Sequence, residues 1–342
     1  MLPVWSKIRF LFYLLLPNKI ILYKFKKHTE WSDFVSYPQF SGRVAIFNVV
    51  QSIKNNSRNE IALIPNYICN VVNIAVLKAG YKIETYSLDD YLEPNIEELI
   101  KTIEEKKITL LFVANIFGSS ALIDKIEQNQ KLTSLLKEKK ITLIIDICQD
   151  IRLLDSLKMK WEIPIAVVIS FNNKSFPGLM GGSLICNFPV ALQTQRMSVK
   201  QELIVWKLFI ISEFLYKKKK ENDINENYDF SKCATFPYQI SPYIPMKLQM
   251  IYAVLGIENL NYYDKQKKKI FDDNNIANKI HKTKFFKTSP FLIFNTDNDA
   301  DFILYRMKLR KQKNSYSHPE NSDESYKPNL IIFNNKGFDD FN

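Results

Sequence analysis

The sequence predicts an α/β protein: a three-layer large domain around a mainly parallel sheet, followed by a smaller α+β C-terminal domain. Three observations carry the prediction. The runs Thr109–Ala114 (TLLFVA), Ile141–Ile145 (ITLII) and Ile165–Phe171 (IAVVISF) are apolar throughout rather than alternating, as strands covered on both faces must be. Helix-like segments separate these runs, as crossovers between parallel strands require. After Asn187 the alternation stops and longer helical stretches take over.

Residues 1–40 read as an N-terminal helical segment. Its apolar stretch, residues 8–23, is interrupted by Arg9, Pro17, Asn18 and Lys19. The longest unbroken run is about seven residues, short of the ~20 that span a bilayer. It lacks a small-residue cleavage site, so a secretory signal is not expected. A helix packed on the body is the first reading, and weak contact with a membrane surface is the second.

Residues 41–190 read as the large domain. Ala45–Ile53 predicts a helix, and Ile61–Ile64 a buried strand closed by Pro65. Val71–Ala79 predicts a helix ended by Gly80. Lys82–Tyr86 predicts a strand, and Asn95–Glu105 a helix opened by Pro94-Asn95. Leu122–Lys139 predicts one helix between the first two apolar strands.

Residues 191–311 read as a helical region and the small domain, with helices at Ala191–Tyr216 and Lys247–Ile280. A strand at Phe291–Asn295 and a helix at Asp299–Lys311 follow. Residues 312–342, rich in Asn, Ser, Asp and Lys, read as a polar, partly disordered tail.

Composition narrows the function classes. Hydrophobic residues make up 46% and charged residues 24%, as in an ordinary folded soluble chain. Four cysteines without C-x-x-C spacing and three histidines suggest neither a zinc site nor a disulfide framework, so no metal is expected and the location is read as cytoplasmic. The net charge of +11 is spread along the chain, and its lysine runs have no interleaved aromatics. They read as solvated faces, and nucleic acid is not expected as a partner.

Only eight glycines occur, so each is expected to answer a backbone need. Several sit after strands, where α/β proteins bind ligands. Ser41-Gly42-Arg43 precedes a helix, so its amides suit an anion, although a plain N-cap explains it too. Asp146 ends the ITLII strand, where a carboxylate needs a strong partner. A protonated ring nitrogen would serve, as would a structural arginine or a helix cap. Gln149 is close enough in sequence to approach the same ligand. Ser170 and Lys174 follow IAVVISF in SFNNKSFPGLMGG. A lysine there is a solvated loop residue, or, in a cleft with a depressed pKa, a Schiff-base former. Pyridoxal phosphate (PLP) needs this set: a lysine, a carboxylate for its pyridine nitrogen, and donors for its phosphate.

From about Ser41 to Arg310 the order of SGRVAI, IPNYICN, KAGYKIETYSLDD, FVANIFGSSALID, IIDICQD and ISFNNKSFPGLMGGSLI resembles the DegT/DnrJ-type sugar aminotransferases. The resemblance implies a PLP-transferase-like large domain of fold type I. It makes Lys174 the Schiff-base lysine and Asp146 the partner of the pyridine nitrogen. Gln149 would lie against the ring or its hydroxyl, and Ser170, Gly42 and Arg43 would bind phosphate, with Ser41 beside them. Cys69 stands where an aromatic often stacks on the ring. The chemistry implied is transfer of an amino group from glutamate to a nucleotide-linked keto sugar for surface polysaccharide, in a homodimer. The family's Asn-x-Arg, which reaches the partner's phosphate, is replaced by Pro245-Met246-Lys247, and the Ser170–Lys174 spacing is four where many members have five. The alternative is a non-catalytic member acting as a binding or scaffold protein.

Overall fold

The computed structural model describes residues 2–54, 60–88, 93–116, 121–157, 162–171, 180–214, 236–237, 239–262 and 265, together with strands 291–294, 316–317 and 331–334. The chain opens with two helices, α1 (Val4–Leu15) and α2 (Asn18–Thr29), and the break between them falls at Pro17. Strand β1 (Val35–Gln39), which the sequence reading did not anticipate, follows. Next come α3 (Gly42–Ile53), β2 (Ile61–Pro65), the short β3 (Ile68–Cys69), α4 (Asn70–Lys78) and β4 (Lys82–Tyr86). They are followed by α5 (Ile96–Glu105), β5 (Ile108–Ala114), α6 (Ala121–Gln128), α7 (Gln130–Glu138) and β6 (Thr142–Asp146). The body closes with α8 (Leu153–Ser156), β7 (Ile165–Ser170), β8 (Gly182–Cys186), α9 (Val199–Phe214) and α10 (Lys247–Glu258). Three further strands are β9 (Phe291–Phe294), β10 (Tyr316–Ser317) and β11 (Ile331–Asn334).

The expected α/β architecture is present. A seven-stranded sheet runs β1-β8-β7-β6-β5-β2-β4. Strands β7, β6, β5, β2 and β4 are mutually parallel, while β8 runs against both β7 and β1. The helix α4 carries the chain from β2 out to β4, and α5 carries it back across β2 to β5. With right-handed crossovers these opposite steps put the two helices on opposite faces of the sheet. The strands are apolar throughout because both faces are covered: every residue of β6 is buried, and so is every residue of β5 except Thr109.

Caps set several boundaries. The Asn95 side chain accepts from the amides of Glu97 and Glu98, fixing the start of α5. The expected single helix over Leu122–Lys139 is two, because Asn129 leaves the helix and its side chain accepts from Leu132 N at 2.9 Å. The expected helix from Ala191 begins instead at Val199. Ser198 and Gln201 exchange hydrogen bonds there as a capping box, and the backbone of Gln195 is committed to Pro242 and Ile244. The helix expected over Lys247–Ile280 is described as α10 to Glu258, with Asn259 at its C-cap. The helix expected over Asp299–Lys311 lies outside the described residues. Two strands fall in the expected polar tail: β11 pairs with β9, and β10 with β3.

The N-terminal helices are fixed to the body by buried polar contacts. Thr29 Oγ1 donates to Ser36 Oγ at 2.7 Å, and Ser36 Oγ lies 2.8 Å from Ser183 Oγ, linking α2, β1 and β8. Lys247 Nζ donates to Leu14 O at 2.6 Å and also to Leu16 O, so its charge satisfies the carbonyl end of α1. The Glu258 carboxylate lies 2.7 Å from Arg9 Nη2 and 3.6 Å from His28 Nε2. Burial pushes its pKa up, but the hydrogen bond with His28 and the charges of Arg9, His28 and Lys24 outweigh that and hold the carboxyl below its ordinary value. A carboxyl depressed in the folded state stabilises above its unfolded pKa and loses that contribution as pH falls through the folded value. Glu258→Gln is therefore expected to cost roughly 1 kcal/mol near pH 7 and progressively less as pH falls below about 4.5. Thermal melts of both proteins at pH 7 and pH 4 check this: an equal gap at the two pH values contradicts the assignment.

Candidate active site

The candidate residues that the structure describes lie toward the carboxyl ends of the parallel strands. The strand order reverses beside β2, where open α/β sheets offer a crevice. Asp146, the last residue of β6, is only 9% exposed, and its Oδ1 accepts from Cys148 N at 2.8 Å. Around it, Cys69 of β3, Gln149 after β6, and Ala114, Asn115 and Ile116 at the end of β5 line a small open cavity. Sequence reasoning grouped Asp146, Gln149 and Cys69, and these three lie together around this cavity.

It missed Asn115. This side chain is buried, and in its better orientation it donates to Asp146 O at 3.0 Å and accepts from Asp150 N at 2.8 Å. It ties the ends of β5 and β6 together and shapes the cavity wall. A polar residue directly after TLLFVA was the available signal, of the same kind that singled out Asp146 after ITLII.

The second cluster lies one strand over. Ser41 is the N-cap of α3, its Oγ accepting from Val44 N at 3.3 Å, so the plain capping role is real. The helix nevertheless starts against Ser170: a Cβ added to Gly42 would lie 2.8 Å from Ser170 Cβ and 3.1 Å from Cys148 Sγ. Gly182 is equally constrained, since a Cβ there would lie 2.7 Å from Ile169 O and 2.8 Å from Gly42 N. The two glycines let the β7–β8 pair and the start of α3 close to backbone contact, and Ser41 bridges to Gly181 in parallel fashion. The result is a narrow cradle of a hydroxyl, Ser170, and a helix N-terminus with its partial positive charge. Arg43 is the second residue of α3 and half-buried.

Register relates the clusters. Asp146 pairs with Val168 across β6 and β7, so Ser170 lies two residues further along the neighbouring strand. From strand spacing and rise, the two Cα atoms are about 8 Å apart. Cys148 stands between them: its amide donates to Asp146 Oδ1, and its thiol fills the space a side chain on Gly42 would need. Lys174 lies outside the described residues, in the connection between Ser170 and Gly182, which face each other in the β7–β8 register. Strand β3 has a partner from far along the chain: Tyr316 of β10 pairs with Cys69, and Ser317 with Ile68.

Among the described residues, no group of three or more His, Cys, Asp or Glu side chains could hold a metal ion. No family model matches the sequence, and no curated protein matches it. Solved structures match in fold. Helicobacter pylori PseC, an aminotransferase involved in the biosynthesis of pseudoaminic acid, superposes with a TM-score of 0.58 at 14% identity, over 99% of this chain and 95% of that one. The sugar aminotransferase CalS13 from Micromonospora echinospora gives 0.57 at 10% identity, over 91% and 84%. SPT with PLP gives 0.53 at 10% identity, over 93% and 71%. What this chain has in common with these proteins is therefore their α/β fold.

Proposed function

We propose that the protein is a PLP-dependent aminotransferase acting on a keto sugar. The observation that carries this reading is the spacing of a buried carboxylate and a glycine-lined helix start beside a hydroxyl, at the carboxyl ends of adjacent strands. By strand spacing and rise the Cα atoms of Asp146 and Ser170 lie about 8 Å apart, the scale of a pyridine ring with its phosphate arm. Fold likeness to aminotransferases and to a PLP-holding protein supports the same reading.

The residues present fit the cofactor. Ser170 and the Gly42 and Arg43 amides would hold its phosphate, with Ser41 fixing the start of the helix that carries them. Asp146 would hold a proton on the ring nitrogen, and Cys148 N keeps that carboxylate aimed by bonding its Oδ1. Gln149 would lie against the ring or its hydroxyl, with Cys69 beside it in the same cavity. When bound, pyridoxal phosphate supplies the electron sink that acidifies the carbon bearing the amino group. Lys174, tethered within about 14 Å of Ser170 by four residues of chain, would attach the cofactor and carry a proton at its Nζ. Glutamate would be the amino donor and a nucleotide-linked keto sugar for surface polysaccharide the acceptor.

A homodimer belongs to this reading with one modification. Lys247, which stands where the family's arginine reaches a partner's phosphate, is engaged with the carbonyl end of α1 in its own chain. The phosphate would then be held by one chain's Ser170, Gly42 and Arg43. The test is a half-reaction: protein loaded with PLP and given glutamate is expected to release about one 2-oxoglutarate per subunit, and Lys174→Ala none. A folded, PLP-loaded wild type that releases none favours the binding-protein alternative.

A further inference from the structure

The outer face of α1 has no role in the site. Val4, Trp5, Ile8, Leu11, Phe12 and Leu15 are between 48% and 84% exposed. At 3.6 residues per turn these six fall within about 120° of the helix circumference. The opposite face is packed on the body: Ser6, Phe10 and Tyr13 are buried, Phe10 stacks on Phe209 with ring centroids 4.8 Å apart, and Asn259 donates to Ser6 Oγ. Lys7 and Arg9 flank the apolar arc on its two sides. The arc runs into an apolar groove shared with α9, lined by Val4, Ile8, Leu11 and Phe209.

Charge distinguishes the partners such a face can take. The first 29 residues hold six lysine and arginine side chains, Lys7, Arg9, Lys19, Lys24, Lys26 and Lys27, and no aspartate or glutamate. Arg9 and Lys26 pair with Glu258 and Glu30, whereas Lys19 and Lys27 project into solvent. A second copy meeting this face about a two-fold axis would bring like charge against like. An anionic bilayer offers apolar depth and the opposite sign together.

We infer that α1 docks the protein on the surface of an anionic lipid bilayer, lying in the plane of the headgroups. A 12-residue helix is about 18 Å long, too short to span, and no helix among the described residues is long and apolar enough to cross a membrane. An apolar arc carrying Trp, Phe and Leu, flanked by bases, is the composition of an in-plane helix. Trp5 on the arc and Tyr23 on α2, 67% exposed, are side chains suited to headgroup depth. This inference does not depend on the cofactor reading.

The test is co-sedimentation of the full chain with vesicles of phosphatidylcholine alone and of equal parts phosphatidylcholine and phosphatidylglycerol. Binding is expected to be at least tenfold tighter to the mixed vesicles and to weaken at least tenfold in 0.5 M NaCl. The double variant Leu11→Glu/Phe12→Glu is expected to lose at least tenfold in binding with an unchanged melting temperature. Lys19→Glu/Lys27→Glu, which leaves the packed face alone, is expected to weaken binding to the mixed vesicles as well. Absence of binding to either vesicle overturns the inference, as does equal binding by wild type and both variants. So does a dimer that Leu11→Glu/Phe12→Glu splits into monomers while vesicles bind neither form.

Discussion

Asp146→Asn is expected to retain the cofactor and lose at least a hundredfold in turnover. The carboxylate sits at the end of β6 with one oxygen bonded to Cys148 N, so an amide of the same shape keeps the packing and much of the hydrogen bonding. What it removes is the negative charge that, in the proposed role, would hold a proton on the cofactor's ring nitrogen in a buried setting. A hundredfold loss corresponds to about 2.7 kcal/mol of transition-state stabilisation, a typical size for a preorganised charge in a low-dielectric site. The check is single-turnover kinetics with saturating PLP alongside a thermal melt. Wild-type turnover in this variant removes Asp146 from the chemistry.

Gly42→Val is expected to abolish cofactor retention for a steric reason. The first carbon of any side chain there already lies 2.8 Å from Ser170 Cβ, and the two methyls of valine have still less room. Either α3 moves off the β7–β8 pair or Ser170 is displaced, and both open the cradle. A stability loss of roughly 1–3 kcal/mol is expected from overpacking, with PLP affinity reduced at least a hundredfold. Gly42→Ala separates the effects, since one methyl strains the contact without filling the space beyond it. A valine variant that binds PLP like wild type contradicts the phosphate assignment.

Much of the fold was readable because its decisive elements are local. TLLFVA, ITLII and IAVVISF announce buried parallel strands by composition alone, and each became a central strand within a residue of its expected ends. Asp146 stood out by the same logic, as a charge at the end of an apolar run. What escaped depends on partners distant in sequence. Strand β1 (VSYPQ) carries a proline and no periodicity, and it exists because β8 offers it an edge in antiparallel register. Gly182 reads as an ordinary turn glycine until folding brings Gly42 N against it. Asn129 is tolerable inside a helix, and only its capping of Leu132 shows why the chain breaks there. In the tail, β10 is a strand because Ile68 and Cys69 pair with it. Lys174 rests on sequence alone: its motif and its tether to Ser170 argue for it.

That lysine makes the most direct test possible. An absorbance spectrum of the purified protein with PLP, taken before and after borohydride and followed by peptide mapping, reads the central claim in one experiment. A yellow band that borohydride bleaches, leaving the cofactor's mass on the peptide bearing Lys174, is the result predicted here. A protein that stays colourless with added PLP, or a reduced adduct mapped to a different lysine, contradicts it.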